Sequence, residues 1–120
     1  MKTLEQSIQE YQAIITEKER LKKIFLDEWE TLSKERKDRL GDAITAANQS
    51  IAKLYTELLN RRIKINRVMT SSHFFYVDTE GRIADIEGNR ILFRAENMSK
   101  EFGLAWLPVM CLDFAEEEQV

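Results

Sequence analysis

The stretch RIADIEGNRILFRA, residues 82–95, decides the fold class of this chain. Two short β-prone segments flank the dipeptide Gly88-Asn89, a pair that is typical of a two-residue hairpin turn. In the second segment, residues 90–95, every other side chain is apolar, and this set is Ile91, Phe93 and Ala95. Such a period of two predicts an antiparallel hairpin with one buried face.

Segments on both sides of this hairpin extend the predicted sheet. Residues 73–78 are rich in aromatic and β-branched side chains and predict a strand, followed by a loop over residues 79–81. Residues 104–114 form an apolar run that contains Pro108, so we expect an edge strand or a bend there. The sequence therefore predicts a small antiparallel β-meander of three to four strands over residues 72–114.

A longer apolar period precedes the sheet. Thr3 and Gln6 match the capping box that opens a helix, and apolar residues then recur every three or four positions. We expect this helix to reach about Leu40, with Gly41 in the left-handed position that ends it, and a second helix to follow. The predicted fold is α+β, with a long, coiled-coil-like antiparallel helical hairpin over residues 3–69 ahead of the sheet.

Length and charge bound the organisation of the chain. Its 120 residues suit a single domain, residues 1–120, with a formal net charge of -3. Residues 1–70 carry 14 Lys and Arg against 11 Asp and Glu, whereas residues 71–120 carry 4 against 10 and end in an acidic tail over residues 115–120. This asymmetry favours attraction between the two parts of the chain or between copies of it.

Cysteine content and hydropathy suggest a location. Cys111 is the only cysteine, which excludes an intramolecular disulfide and fits a reducing compartment. No apolar signal region follows Met1, and no stretch is apolar enough to span a bilayer. We therefore expect a cytoplasmic protein without a membrane partner.

The residue types needed for catalysis or metal binding are few. Cys111 and His73 are the only residues for a thiolate–imidazole pair, and one His with one Cys is too few for a zinc site. Four carboxylates near the first predicted turn would suit acid–base work, but they are also typical of solvent-facing turns: Asp78, Glu80, Asp85 and Glu87. We predict no catalytic residue, no metal, no cofactor and no enzymatic activity.

Basic residues suggest an alternative function. Four cations within seven residues are candidates for phosphate binding: Arg61, Arg62, Lys64 and Arg67. In an antiparallel hairpin they would lie beside acidic residues of the first helix, and cations also suit a helix C-terminus. The alternatives are a nucleic-acid-associated regulator and an oligomeric binder of a small anionic ligand such as a nucleotide.

Aromatic residues favour a different reading. Phe74, Phe75 and Tyr76 are adjacent, so in a strand they would place aromatic bulk on both faces of the sheet. We predict a partner-binding sheet face that carries Phe74, Tyr76 and Trp106. The leading hypothesis is a non-enzymatic protein-interaction module that forms a homo-oligomer, most simply a dimer through its helices. We expect it to act as an adaptor or inhibitor of a larger bacterial or phage machine, including defence or anti-defence systems.

Overall fold

The computed structural model describes residues 2–67, 76–96 and 103–115. Two long helices are followed by a five-stranded antiparallel sheet, which confirms the predicted α+β fold with an N-terminal helical hairpin. The chain forms two compact units, which are described separately. Met1–Ile8 and Glu57–Val120 belong to the first, the sheet unit, and Gln9–Thr56 to the second, the hairpin unit.

The first helix, α1, spans Leu4–Asp27 and begins where the sequence predicts. The Gln6 backbone N–H donates to Thr3 Oγ1 at 3.1 Å, and the Thr3 N–H donates to Gln6 Oε1 at 2.9 Å. These two bonds satisfy N–H groups that have no partner within the helix. The predicted capping box is confirmed.

The second helix, α2, spans Lys34–Leu58, so the predicted turn at Gly41 is wrong. Ser33 caps α2 instead, because its Oγ accepts from the Arg36 N–H at 3.2 Å and its carbonyl accepts from the Lys37 N–H at 2.9 Å. A serine cap of this kind contributes about 1 kcal/mol. Gly41 lies inside α2, where a glycine costs only about 1 kcal/mol relative to alanine and does not end a helix by itself.

Replacing Gly41 with alanine is expected to stabilise the hairpin unit by about 0.5–1 kcal/mol. A Cβ at this position would meet no atom within 4 Å, so the gain in helix propensity comes without a clash. Thermal unfolding followed by far-UV circular dichroism checks this result. A lower melting temperature for Gly41→Ala would place Gly41 outside a regular helix.

The second helix is also shorter than predicted, since the strand β1, Arg62–Ile65, begins where we expected helix. Asn60 adopts a φ of 66°, a left-handed conformation that ends the helix after Leu58. Ile63 and Ile65 are buried while their neighbours are not, so the segment follows a period of two. The prediction failed because the isoleucine spacing at the end of the segment also fits a helical stripe.

Four further strands of the described residues belong to the sheet. They are β2 (Glu80–Glu87), β3 (Arg90–Ala95), β4 (Leu104–Pro108) and β5 (Leu112–Phe114), and the strand order is β4-β3-β2-β1-β5. The turn between β2 and β3 lies at Gly88 and Asn89 as predicted, with Gly88 at a φ of 59°. The strand count exceeds the predicted three to four because β1 was taken as helix and the predicted fourth strand is divided.

Other strand boundaries also differ from the prediction. Asp78 lies in a turn with a φ of 71°, so it does not end a strand, and residues 73–75 lie outside the described residues. Gly81 lies within β2 and not in a loop. Pro108 ends β4, and a 3-10 turn over Val109–Cys111 separates it from β5. Residues 116–120 of the predicted acidic tail also lie outside the described residues.

The sheet curls strongly, because its two edge strands are consecutive in the chain. In a flat sheet, β4 and β5 would lie four strand spacings apart, about 19 Å. The chain from Pro108 to Leu112 spans at most about 14 Å even when fully extended. The inner face of the curl encloses the core of the sheet unit, and its fully buried side chains include Phe93, Ile63, Ile83, Ile91, Leu107 and Leu112.

Three helical side chains of the same unit are buried with this core: Leu4 and Ile8 from α1, and Leu58 from α2. Among the described residues, no helix combines the length and the apolar character that crossing a membrane requires.

Candidate protein-interaction surface

The outer face of the sheet is the side opposite the core. Successive side chains of a strand point to opposite faces, so every second residue of each strand lies on this outer face. Strand registry places the following residues there: Arg62, Lys64, Glu80, Arg82, Leu92, Arg94, Leu104, Trp106 and Asp113. Most are charged, and the apolar members lie together at the β4 edge.

Leu92, Leu104 and Trp106 form an apolar strip on this outer face. Leu92 lies directly opposite Trp106, and Leu104 is the neighbouring residue of β4 on the same face. Leu104 is 45% exposed and Trp106 is 38% exposed. Tryptophan is enriched in the energetic centres of protein interfaces, so an exposed Trp beside two leucines is a candidate contact surface.

The predicted partner-binding residues are placed differently. Trp106 lies on the outer face, whereas Tyr76, which is 82% exposed, precedes β2 in a loop where its N–H donates to Thr79 Oγ1 at 3.2 Å. Phe74 lies outside the described residues. Sequence reasoning missed Leu92 and Leu104, although Leu92 was visible as the one apolar residue on the polar side of the predicted β3 alternation.

The predicted phosphate-binding residues are divided between two faces. Arg62 and Lys64 lie on the outer face of β1, and Arg61 stacks over the Phe114 ring at 3.7 Å from its centroid. Arg67 follows β1 and is exposed. Arg61 precedes β1 and Arg67 follows it, so of the four cations only Arg62 and Lys64 share a strand face.

An arginine row crosses the outer face. Arg62, Arg82 and Arg94 lie directly opposite one another on β1, β2 and β3. Two carboxylates offset this repulsion: Glu80 contacts Arg62 at 2.7 Å, and Glu96 lies 3.7 Å from Arg62 and 3.4 Å from Arg82. These ion pairs are largely exposed and contribute at most about 1 kcal/mol each, so they mainly hold the side chains in place.

Asn60 anchors the other end of this row. Its backbone carbonyl accepts from Arg82 Nη1 at 2.8 Å, and its side-chain Oδ1 accepts from Arg94 Nη2 at 3.0 Å. The Asn60 N–H donates to the Ile83 carbonyl at 2.8 Å. The residue that ends α2 therefore also fixes two arginines beside the apolar strip.

The carboxylates that we weighed for acid–base chemistry do not converge. Asp78 lies in a turn, Glu80 pairs with Arg62, and Asp85 Oδ1 accepts from the Ile86 N–H at 2.8 Å. Within residues 2–67, 76–96 and 103–115, no three His, Cys, Asp or Glu side chains are grouped to hold a metal ion.

Cys111 is buried in the turn between β4 and β5, and burial raises the pKa of its thiol, while the charge of Arg67 acts in the opposite direction. A raised pKa disfavours the nucleophilic thiolate at neutral pH. His73, its only candidate imidazole partner, lies outside the described residues.

The raised pKa of Cys111 predicts a pH dependence of stability. A thiol that ionises more readily in the unfolded chain stabilises the folded state below its unfolded pKa of about 8.5, and this contribution is lost as pH rises through the folded value. The free energy of unfolding of the native chain should therefore fall between pH 8 and pH 10 more steeply than that of Cys111→Ala. Urea titrations of both proteins measure the difference, and parallel pH profiles would contradict it.

The hairpin unit has little buried surface of its own. Tyr11 and Leu40 are the only buried side chains of residues 9–56, all of which are described. Tyr11 stacks on Tyr55 with ring centroids 6.2 Å apart. The other apolar residues of 9–56 are half-buried or exposed, and near the turn Leu26 is 63% and Trp29 46% exposed.

Trp29 is held by its neighbours in this unit. Phe25 packs against it edge to face with ring centroids 4.8 Å apart, and Lys37 Nζ lies 4.0 Å from its ring centroid. Residues 34–39 hold four Lys and Arg side chains, and Lys37 among them takes part in an aromatic contact.

No protein-family model, curated protein or solved structure matches this chain. Its function is therefore argued from the surfaces of the two units alone.

Proposed function

We propose that this chain is a non-enzymatic protein-interaction module that self-associates through its helical hairpin. The observation that carries the proposal is the hairpin's half-buried apolar seam, since only Tyr11 and Leu40 are buried in residues 9–56. Two helices with wide apolar faces reach a packed core when a second pair covers them, as in a four-helix bundle. A dimer with four helices is the simplest such assembly.

The sheet unit supports the same class of function. Its apolar strip, Leu92, Leu104 and Trp106, offers an aromatic anchor, and the arginine row beside it offers charge that would select a partner and its orientation. A module with two contact surfaces suits an adaptor or an inhibitor that binds a larger assembly. We propose a bacterial or phage machine as that assembly, on the grounds of the chain's small size and its lack of catalytic motifs.

Solution mass tests the self-association. We expect light scattering and sedimentation to give a dimer for the native chain at tens of micromolar, and a monomer for Ile51→Asp, which places a charge on the half-buried α2 seam. Gln49→Asp, an exposed position on the same helix, adds the same charge and should leave the mass unchanged. Circular dichroism verifies that the helices remain folded.

A second substitution covers the case in which Ile51→Asp unfolds the hairpin. Leu26→Asp changes a side chain that is already 63% exposed in the monomer, so it is expected to weaken the dimer without disturbing the helices. A native chain that remains monomeric at every concentration would refute self-association.

Anion binding is the competing proposal, and the arginine row is the observation that favours it. A nucleic-acid-associated regulator would retain nucleic acid in a salt-sensitive manner and lose it when the arginine row, Arg62, Arg82 and Arg94, is neutralised. A binder of a small anionic ligand would instead show a higher melting temperature with added nucleotide. The absorbance ratio of the purified chain and a nucleotide thermal-shift series separate both from the interaction module.

A further inference from the structure

The strand β4 is an edge strand without the usual protection. Natural edge strands carry charges, prolines or bulges that prevent pairing with another chain. β4 reads LAWLP, with no charged side chain and with its proline at the last position. The other edge, β5, has only three residues and carries Asp113, whose Oδ2 accepts from Asn66 Nδ2 at 2.8 Å. Among the strands of residues 2–67, 76–96 and 103–115, β4 is thus the edge that is open to pairing.

Hydrogen bonding to β3 determines which backbone N–H and C=O groups of β4 point outward, that is, away from β3 toward the free edge of the sheet. The Ala95 N–H donates to the Gly103 carbonyl at 2.8 Å, and the Val109 N–H donates to the Asn89 carbonyl at 2.9 Å. Hydrogen-bonded pairs alternate along an antiparallel ladder, so Ala105 and Leu107 also bond to β3. The backbone groups of Leu104, Trp106 and Pro108 therefore point away from β3, and no other described strand pairs with them.

We propose that β4 pairs antiparallel with β4 of a second copy of this chain, about a two-fold axis at Ala105. Leu104 then lies opposite Trp106 of the partner subunit, and Trp106 lies opposite the partner's Leu104. The inference deepens the proposed function, on which it rests, because it names a second copy as one partner of the sheet unit.

Proline selects this register. Leu104 and Trp106 are the two residues of β4 with outward N–H groups, since Pro108 has none. Pairing Leu104 with Trp106 of the partner subunit satisfies all four such N–H groups of the two copies with four outward carbonyls. A register centred on Trp106 would form the same number of bonds, but it would place Pro108 opposite the partner's Leu104, where the pyrrolidine ring faces the Leu104 carbonyl and offers it no N–H.

A second copy also suits the side chains and charges. The two apolar strips become continuous on one face, with two Leu–Trp pairs across the new strand junction. Because β4 carries no charged side chain, two copies of it can pair without electrostatic repulsion. Among the described residues of the strands, the nearest like charges are on the two β3 strands, three strand spacings apart, about 14 Å, which exceeds the screening length of about 8 Å at physiological salt.

Proline substitution tests the pairing. Leu104→Pro removes a backbone N–H that does not bond to β3, so the sheet should tolerate the substitution. The control, Leu104→Ala, removes the leucine side chain and keeps the N–H. The contact is small, so we expect it to be weak and visible in sedimentation from ten micromolar to millimolar concentrations. The dissociation constant of this second association, of hairpin dimers into larger assemblies, should be about tenfold higher for Leu104→Pro than for Leu104→Ala, because two hydrogen bonds per β4 contact are lost.

Disulfide trapping tests the register. At the two-fold axis, the Cα atoms of Ala105 and its symmetry mate would be about 4.5 Å apart, within disulfide range. Ala105→Cys should therefore oxidise to a covalent dimer much faster than Met110→Cys, whose site is 51% exposed but lies beyond β4. Cys111 is buried and is present in both proteins.

The outcomes separate this inference from the proposed function. Equal dissociation constants for Leu104→Pro and Leu104→Ala, or equal trapping at residues 105 and 110, would overturn the β4 pairing. If Ile51→Asp still dissociates the chain in that case, hairpin self-association stands without the β4 contact. If instead Leu104→Pro and Ala105→Cys behave as expected while Ile51→Asp has no effect, the β4 contact is supported and the hairpin contact is refuted.

Discussion

Replacing Phe93 with alanine is expected to lower the free energy of unfolding of the sheet unit by about 3–5 kcal/mol. Phe93 is the largest fully buried side chain, with 0% exposure, and lies on β3 directly between Ile83 of β2 and Ala105 of β4. Its removal leaves a cavity that a closely packed, curled sheet fills only in part. Urea unfolding should show a lower midpoint with an unchanged slope.

The matched control for Phe93→Ala is Leu104→Ala on the adjacent strand. Leu104 is 45% exposed on the outer face, so its truncation in the monomer should cost under about 1 kcal/mol. Equal losses for the two variants would mean that the inner face is not the core of the sheet unit.

The parts of the fold that could be predicted from sequence are set by local chemistry. The capping box at Thr3 and Gln6 involves residues three apart, and the structure forms both of its bonds. The alternation of Ile91, Phe93 and Ala95 around a Gly-Asn turn gives a strand with one buried face, and these three residues are buried. Neither feature depends on a distant part of the chain.

The wrong predictions of secondary structure arose where two local sequence signals compete, or where pairing with a distant strand determines the conformation. Gly41 resembles a helix end, but Ser33 supplies a side-chain cap and the helix continues through the glycine. Ile63 and Ile65 fit the end of a helical stripe as well as a strand. Their strand state is fixed by pairing with β2 and β5, which lie 15 or more residues later in sequence; propensity over a short window does not contain that information.

The candidate surface was predictable only in part, for the same reason. Trp106 was predicted as a contact residue from its side-chain type, and the structure places it on the outer face. Its neighbours Leu92 and Leu104 are identified only by the registry of β3 with β4. The basic group around Arg61 was interpreted on a helix, whereas Arg62 and Lys64 lie on the outer face of β1 and Arg61, which precedes β1, stacks on Phe114.

Replacing Gly81 with alanine is expected to destabilise the sheet unit by about 2–3 kcal/mol. A Cβ at Gly81 would clash with the Arg94 carbonyl oxygen and lie 2.7 Å from two carbons of the Phe93 ring. Neither neighbour can yield easily, because the carbonyl belongs to the β2–β3 ladder and the ring is fully buried. The melting temperature should fall by roughly 10–20 °C.

Gly41→Ala is the control that makes this result specific to position, since it is the same substitution in the same chain with an open site and an expected gain in stability. The opposite signs distinguish a steric requirement at Gly81 from a general effect of removing glycine. If Gly81→Ala were neutral, β2 and β3 could separate locally at little cost, and the arginine row, which depends on the spacing of Arg82 and Arg94, would not be a fixed feature of the surface. A large loss would instead indicate that the close approach of β2 to β3 holds the core and the charged part of the outer face in place together.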